Sequence, residues 1–240
     1  MSYKIKTRIY YNLDIIAKSN ITLDNFNSHH LANVLKIQTG EFVSVFNEIS
    51  GEFVCKVLNC HKKNTTLEVL EKIKDFTPPK YLLHLAYAPL KKDANDFVIE
   101  KSCELGVSAL SNIITNRCVN KPLEVDKIKI KLQGASSQCG RLDIPQVLLG
   151  KKLVDFVQEH KKDNNIFWLN EFFLGDVFSN VLQNTPPKNS IILIGPEGGF
   201  DMQEKSFLSE NTIPCYIKGN ILRAETASIV ALVNFNLFCN

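Results

Sequence analysis

The sequence predicts an α/β protein in two parts: a small domain of short strands, then a larger domain built on a mostly parallel sheet. Three observations carry this. The first third of the 240-residue chain is a series of short strand-like segments with one brief helical stretch. Pro78-Pro79 then breaks the pattern, since two prolines block both a helix and a central strand. Beyond them, apolar strands and helices alternate to the end of the chain, the rhythm of a parallel sheet with helices on both faces.

Along the first part, Tyr3, Ile5, Thr7, Ile9 and Tyr11 alternate with polar residues, apart from Tyr10, which is strand period. A short helix is expected from Ser28 to Lys36, with Asn27 or Ser28 as N-cap. Gly40 marks a turn. Glu41–Asn47, Glu52–Cys60 and Thr65–Ile73 read as three more strands, with turns at Ser50-Gly51 and Lys63-Asn64. Residues 1–76 thus read as a compact barrel, and Asp75–Lys80 as the linker to a second domain over 77–240.

In that second part, strands are expected at Tyr81–Tyr87, Ala109–Thr115, Ile166–Asn170, Ser190–Ile194 and Cys215–Lys218. Helices are expected at Asp93–Leu105, Val125–Gln138, Leu153–His160, Asp176–Gln183, Asp201–Ser209 and Glu225–Phe238. The final helix is apolar nearly all round, so most of its surface must be covered, which favours a partner subunit over a core helix of a monomer.

Composition narrows the function classes. No apolar run approaches the roughly 18 residues of a membrane helix. The start of the chain lacks the apolar stretch and small-residue cleavage site of a secretory signal, so a cytoplasmic location is expected. The seven cysteines are odd in number and form no C-x-x-C pair, and His29-His30 are simply adjacent. Reduced thiols are therefore expected, with no disulfide framework and no metal site. A net charge of +3 permits an anionic partner without demanding one.

Two segments carry chemistry. Ile191–Ile194 leads into Gly195-Pro196-Glu197-Gly198-Gly199-Phe200-Asp201: a buried strand, a glycine-rich loop and a helix start. Ligands of open α/β sheets sit beyond the carboxyl ends of strands, and glycines admit a ligand close to the backbone. The loop is neither a Walker A nor a G-x-G-x-x-G motif, which argues against a phosphate-cradling nucleotide site. The second segment is Ile217-Lys218-Gly219-Asn220-Ile221-Leu222-Arg223-Ala224-Glu225-Thr226-Ala227, a short strand and loop entering the last helix. Taken singly, Arg223 reads as a solvated charge and Glu225 as a complement to the helix dipole.

Together the two segments resemble the signature of the RsmE family of SPOUT methyltransferases. Lys101-Ser102-Cys103-Glu104-Leu105-Gly106-Val107 is similar to the family's K-x-x-E-L-G-V, and Gln138-Cys139-Gly140-Arg141 with Pro145 to its Q-S-x-R…P segment. Arg8 and His30…Val34-Leu35-Lys36…Gly40 resemble its N-terminal domain, so the likeness spans nearly the whole chain in order. Lys218, Asn220 and Ala224 depart from the pattern before and after Ile221-Leu222-Arg223, as do Ser137 and Lys36 elsewhere.

The resemblance implies a mostly parallel sheet with a deep trefoil knot, preceded by a PUA-like RNA-binding barrel. It implies S-adenosylmethionine as cofactor, and methylation of N3 of one uridine in 16S rRNA of the small ribosomal subunit. Leu169, Asn170, Ile194, Gly195, Pro196, Gly198, Gly199, Ile217, Gly219, Ile221, Leu222, Thr226 and Ala227 would hold the cofactor. Arg223 would be the catalytic cation, with Glu197 and Glu225 as candidate bases or as groups that orient it. Arg8, Lys36, Lys91, Lys92 and Arg141 would contact RNA phosphates, each against the alternative of a solvated charge. Lys101 and Glu104, three apart on a helix, read equally well as a structural ion pair. The family also implies a homodimer. Two rival readings remain: an RNA-binding or ribosome-assembly protein of the same fold that has lost catalysis, and a SPOUT enzyme acting on another RNA.

Overall fold

The computed structural model describes residues 3–122 and 124–239. It divides into two compact units, residues 1–78 with 136–144, and residues 79–135 with 145–240.

The first unit contains β1 (Ile5–Tyr10), β2 (Asn20–Thr22), α1 (Asn25–His29), β3 (Phe42–Asn47), β4 (Gly51–Asn59) and β5 (Thr66–Lys74). They form one sheet in the order β1-β3-β4-β5-β2. β1 runs parallel to β3 and the other pairs are antiparallel. Alternation along β3 and β5 sends Val43, Val45, Leu67 and Val69 into a core shared with Ile9, Leu31 and Val57. Register shifts between β4 and β5 bend the pair. The helix starts earlier than its sequence suggests, and its cap is Asp24 rather than Asn27 or Ser28. The Asp24 carboxylate accepts the Asn27 N–H at 2.7 Å, whereas the Ser28 hydroxyl is buried, donating to the Leu23 carbonyl and accepting the Thr65 N–H. The chain then widens into a π-turn over His30–Val34.

Arg8 joins residues 136–144 to this sheet. Its Nε and Nη2 donate to the two Glu52 oxygens at 2.8 and 3.1 Å. Nη1 donates to the carbonyls of Ser136 and Ser137, and Nη2 also to that of Arg141, at 2.9, 3.1 and 2.8 Å. These bonds use all of the guanidinium's N–H groups. The guanidinium also lies over the Phe46 ring, 4.3 Å from its centre. Glu52 accepts a further bond from the Ser44 hydroxyl at 2.6 Å.

The second unit contains β6 (Leu83–Tyr87), α2 (Lys92–Glu104), β7 (Ala109–Ile114), α3 (Val125–Cys139), which crosses into residues of the first unit, β8 (Gln146–Lys152), α4 (Leu153–His160), β9 (Asn165–Leu169), β10 (Asp176–Val177), α5 (Phe178–Asn184), β11 (Ser190–Ile194), α6 (Met202–Asn211), β12 (Ile213–Tyr216) and α7 (Ala224–Cys239). Its sheet has the order β10-β12-β9-β11-β6-β7-β8, every neighbouring pair parallel. β11 is buried throughout, in line with its uninterrupted apolar sequence. Ile191 and Leu193 pack with Trp168, Phe156 and Leu208 in one cluster. Each such side chain contributes roughly 1.5–3 kcal/mol by leaving water.

Three strands differ from expectation. β2 and β10 span three and two residues, too few to show a period. β8 ends the sheet as an edge strand, and its Gly150, Lys151 and Lys152 hide the pattern. α7 buries Ser228, Ala231, Leu232 and Phe235, while Val233, Leu237 and Phe238 stay exposed. No helix among the described residues is long and apolar enough to cross a membrane.

The sheet order matters most for function. β12 comes late in the chain but lies beside β9, which in turn lies beside β11. The carboxyl ends of these three parallel strands therefore sit side by side.

Candidate functional site

The loop after β9 is organised by one buried side chain. Asn170 accepts the N–H groups of Phe172 and Leu174 at 3.1 and 3.0 Å, and donates to the carbonyls of Leu174 and Cys215 at 2.9 and 3.0 Å. Its amide thus satisfies a tight turn and ties it to β12. Phe173 stands in this turn at φ +58°, its ring against Tyr216, and Lys205 caps the Phe172 ring at 3.6 Å.

The loop after β11 is fixed by Phe200, which is buried and stacks edge-on against Trp168. The ring fills the space beside Gly195: a Cβ there would come within 2.7 Å of it, which is why a glycine must follow the strand. Gly199 donates to the Pro196 carbonyl at 2.8 Å and has φ +66°, the left-handed region that favours glycine. Asp201 then caps α6 in a reciprocal capping box with Glu204. Asn116 reinforces the box through its side chain to Asp201 and its backbone N–H to Glu204.

These two loops, the loop of residues 217–223 after β12, and the start of α2 enclose a cavity of about 900 Å³. That is within the usual range for a small-molecule or cofactor site. Of the residues expected at a cofactor, Leu169, Asn170, Ile194, Gly195, Pro196, Gly199, Ile217, Ile221, Leu222 and Ala227 line it. Gly198, Gly219 and Thr226 lie in the same segments but off the wall: the Gly198 carbonyl accepts a bond from Arg117, Gly219 faces open space, and Thr226 is exposed. Arg223, Glu197 and Glu225 all line the cavity.

Its electrostatics are unusual for this chain. Lys91, Asp93, Glu171, Glu197, Arg223 and Glu225 line the wall, so carboxylates outnumber cations four to two. Among the described residues none of these six side chains has a hydrogen bond or ion pair, although such pairs are common elsewhere. Lys91, Asp93, Glu197 and Arg223 are exposed to water, whereas Glu171 and Glu225 are half-buried, so a ligand's donors matter most to those two. This cavity suits a ligand with an apolar body, a positive charge and several hydrogen-bond donors.

The residues expected at RNA phosphates divide. Lys91 lines the cavity and Lys92 is exposed at the start of α2. Lys36 is exposed at φ +52°. Arg141 is paired with Asp143 at 2.6 Å, and the N–H groups of Arg8 are all committed inside the chain. For Arg8 the geometry supports a structural role, since a phosphate would have to displace an existing partner. Lys101 and Glu104 form an ion pair at 2.8 Å on α2.

The sequence reading missed Glu171, Phe173, Asp93 and Phe97 on the cavity wall. Glu171 was within reach, as the residue just after the expected strand end. Asp93 and Phe97 occupy successive turns of α2 on the side facing the loops.

A family model described as an RNA methyltransferase domain matches residues 77–236, and one described as an RNA methyltransferase PUA domain matches residues 23–70. Ribosomal RNA small subunit methyltransferase E of Rickettsia conorii is 29% identical over 96% of this chain and 95% of its own. The protein of that name from Mesomycoplasma hyopneumoniae is 33% identical over 88% of this chain and 91% of its own. Among solved structures, a Legionella pneumophila chain in complex with the bound cofactor SAM superposes with a TM-score of 0.87, at 29% identity over 96% of this chain and 97% of that one.

Proposed function

Because this chain belongs to the RNA methyltransferase family, alongside ribosomal RNA small subunit methyltransferase E, we propose that it transfers a methyl group from S-adenosylmethionine to N3 of a uridine in small-subunit rRNA. The observation that supports this best is the meeting of three strand-end loops at one cavity with Arg223 on its wall. The cofactor fits the residues present. Leu169, Ile194, Ile217 and Leu222 offer apolar surface for an adenine, and the unpaired carboxylates suit a cationic, donor-rich ligand. When bound, the cofactor supplies an activated methyl group on a sulfonium.

The chain's own task is to make uridine N3 nucleophilic. That nitrogen carries a proton until the base ionises, so a cation beside the developing uridine anion lowers the barrier. Arg223 fills that role, because a guanidinium stays charged at any working pH and can bind a carbonyl oxygen. Glu197 and Glu225 share the wall and can accept the proton or steer the guanidinium. The loops that line the cavity would hold methyl donor and acceptor together, and such alignment can supply much of the acceleration.

The proposal extends to the assembly. Val233, Leu237 and Phe238 on α7 are apolar and exposed, a surface suited to a second copy of the chain and testable by sedimentation. A ribosomal substrate implies action in the cytoplasm. The deciding experiment incubates the protein and labelled S-adenosylmethionine with small subunits from cells lacking the modification. Mass spectrometry should find the label on uridine N3; label on another base, or none, defeats the assignment.

A further inference from the structure

Resting on the cofactor reading above, we infer that Glu171 is the carboxylate that recognises the cofactor, accepting hydrogen bonds from a donor-rich end of it: the α-ammonium of its amino-acid part or the ribose diol. Four carboxylates line the cavity, and three have another setting. Asp93 and Glu225 stand in the first turns of α2 and α7, where each already complements a helix N-terminus. Glu197 is exposed in the loop. Glu171 is half-buried and projects from a held turn, between Asn170 and the Phe172 N–H that Asn170 binds at 3.1 Å.

The opposite wall makes room for it. A Cβ on Gly199 would lie 3.0 Å from Glu171 Oε1, so the glycine that tolerates φ +66° also leaves the carboxylate its space. No protein donor among the described residues fills that carboxylate's lone pairs. A carboxylate on a held backbone at a cavity wall can be answered by donors on the ligand, and a charge-assisted bond of this kind is among the stronger ones available.

The test is calorimetric binding of S-adenosylmethionine, S-adenosylhomocysteine and 5′-methylthioadenosine to the wild-type chain and to Glu171→Gln, with ligand-free melting temperatures for both. The expected result is a loss of affinity of roughly 10- to 100-fold in the variant, with unchanged ligand-free melting, because Glu171 has no protein partner to lose. A loss on all three ligands assigns the ribose diol. A loss confined to the two that carry the amino-acid part assigns the ammonium. Equal affinities for the two proteins overturn the inference, and so does a loss that comes with a lower ligand-free melting temperature. A wild-type chain that binds none of the three defeats the cofactor reading itself.

Discussion

Replacing Arg8 with alanine removes the two-point bond to Glu52, three bonds to the carbonyls of 136–141 and the seat over Phe46 in one step. The Arg8 side chain is 17% exposed and that of Glu52 8%, so water screens the pair little. Among the described residues, Glu52 would keep only the Ser44 hydroxyl as donor. Breaking a buried pair from one side costs about 3–5 kcal/mol, because the remaining charge stays desolvated. Burial raises the Glu52 pKa, but the Arg8 and Ser44 hydrogen bonds and the Arg8 charge more than offset this and hold it below the ordinary 4.5. The stability this gives is present above pH 4.5 and is lost as pH falls through the lower folded value. The variant keeps the burial and loses the cation, so the gap between the two proteins should narrow in acid. Trp168, the single tryptophan, lies in the second unit and does not probe the first directly. Amide hydrogen exchange along β3 and β4 through a urea series is the suitable assay. Arg8→Met combined with Glu52→Met should recover the part of the loss due to the stranded charge, while the carbonyls of Ser136, Ser137 and Arg141 stay without the Arg8 donor. A cost below about 1 kcal/mol for Arg8→Ala, where a buried pair should cost several times that, would refute the reasoning.

Three further outcomes are expected. Arg223→Ala should lower kcat by roughly 10²- to 10³-fold, with little change in melting temperature, since the side chain has no partner to lose; an unchanged rate removes Arg223 from the mechanism. Asn170→Ala should cost about 2–4 kcal/mol by leaving the turn's buried amide partners unanswered, and should weaken cofactor binding alongside; full affinity by calorimetry would show that the turn holds without it. Asp201 is held below its ordinary 3.8 by the Glu204 backbone N–H first and Asn116 second, so its contribution is present above that pH and fades as acid titrates the folded carboxyl. Asp201→Asn, which can still cap α6, should flatten that acid limb of the stability curve while changing little at neutral pH, and superimposable curves would exclude the effect.

Much of this was legible in the sequence because local pattern and long-range structure agree. Ser190–Ile194 is a strand by its unbroken apolar run, and Leu153–His160 and the Asp201 cap follow from helical spacing and cap chemistry. The cavity's glycines, its strand-end residues and Arg223 could be named from two motifs. What stayed hidden depends on partners far along the chain. Nothing near Arg8 announces that the carbonyls it needs lie at residues 136–141. Asp24 caps instead of Asn27 and Ser28: Ser28 is already engaged with Thr65, and Asn27 lies inside the helix with its N–H given to Asp24. Glu171 gained its place from Gly199, which meets it only once β9 and β11 are neighbours.

The return of residues 136–144 to the first unit bears on how such a gene can be cut. A fragment ending at Pro78 would carry Arg8 without the carbonyls of Ser136, Ser137 and Arg141, and Lys74 without that of Gly140. A stable miniature of this unit therefore requires the nine-residue piece to be grafted back, closed by its own Arg141–Asp143 clasp and the Ser136 bond to the Asp143 carbonyl. Cutting the chain at Pro78 as if it joined beads on a string would split the first unit, so an exchange of that unit between relatives must move two stretches of coding sequence together.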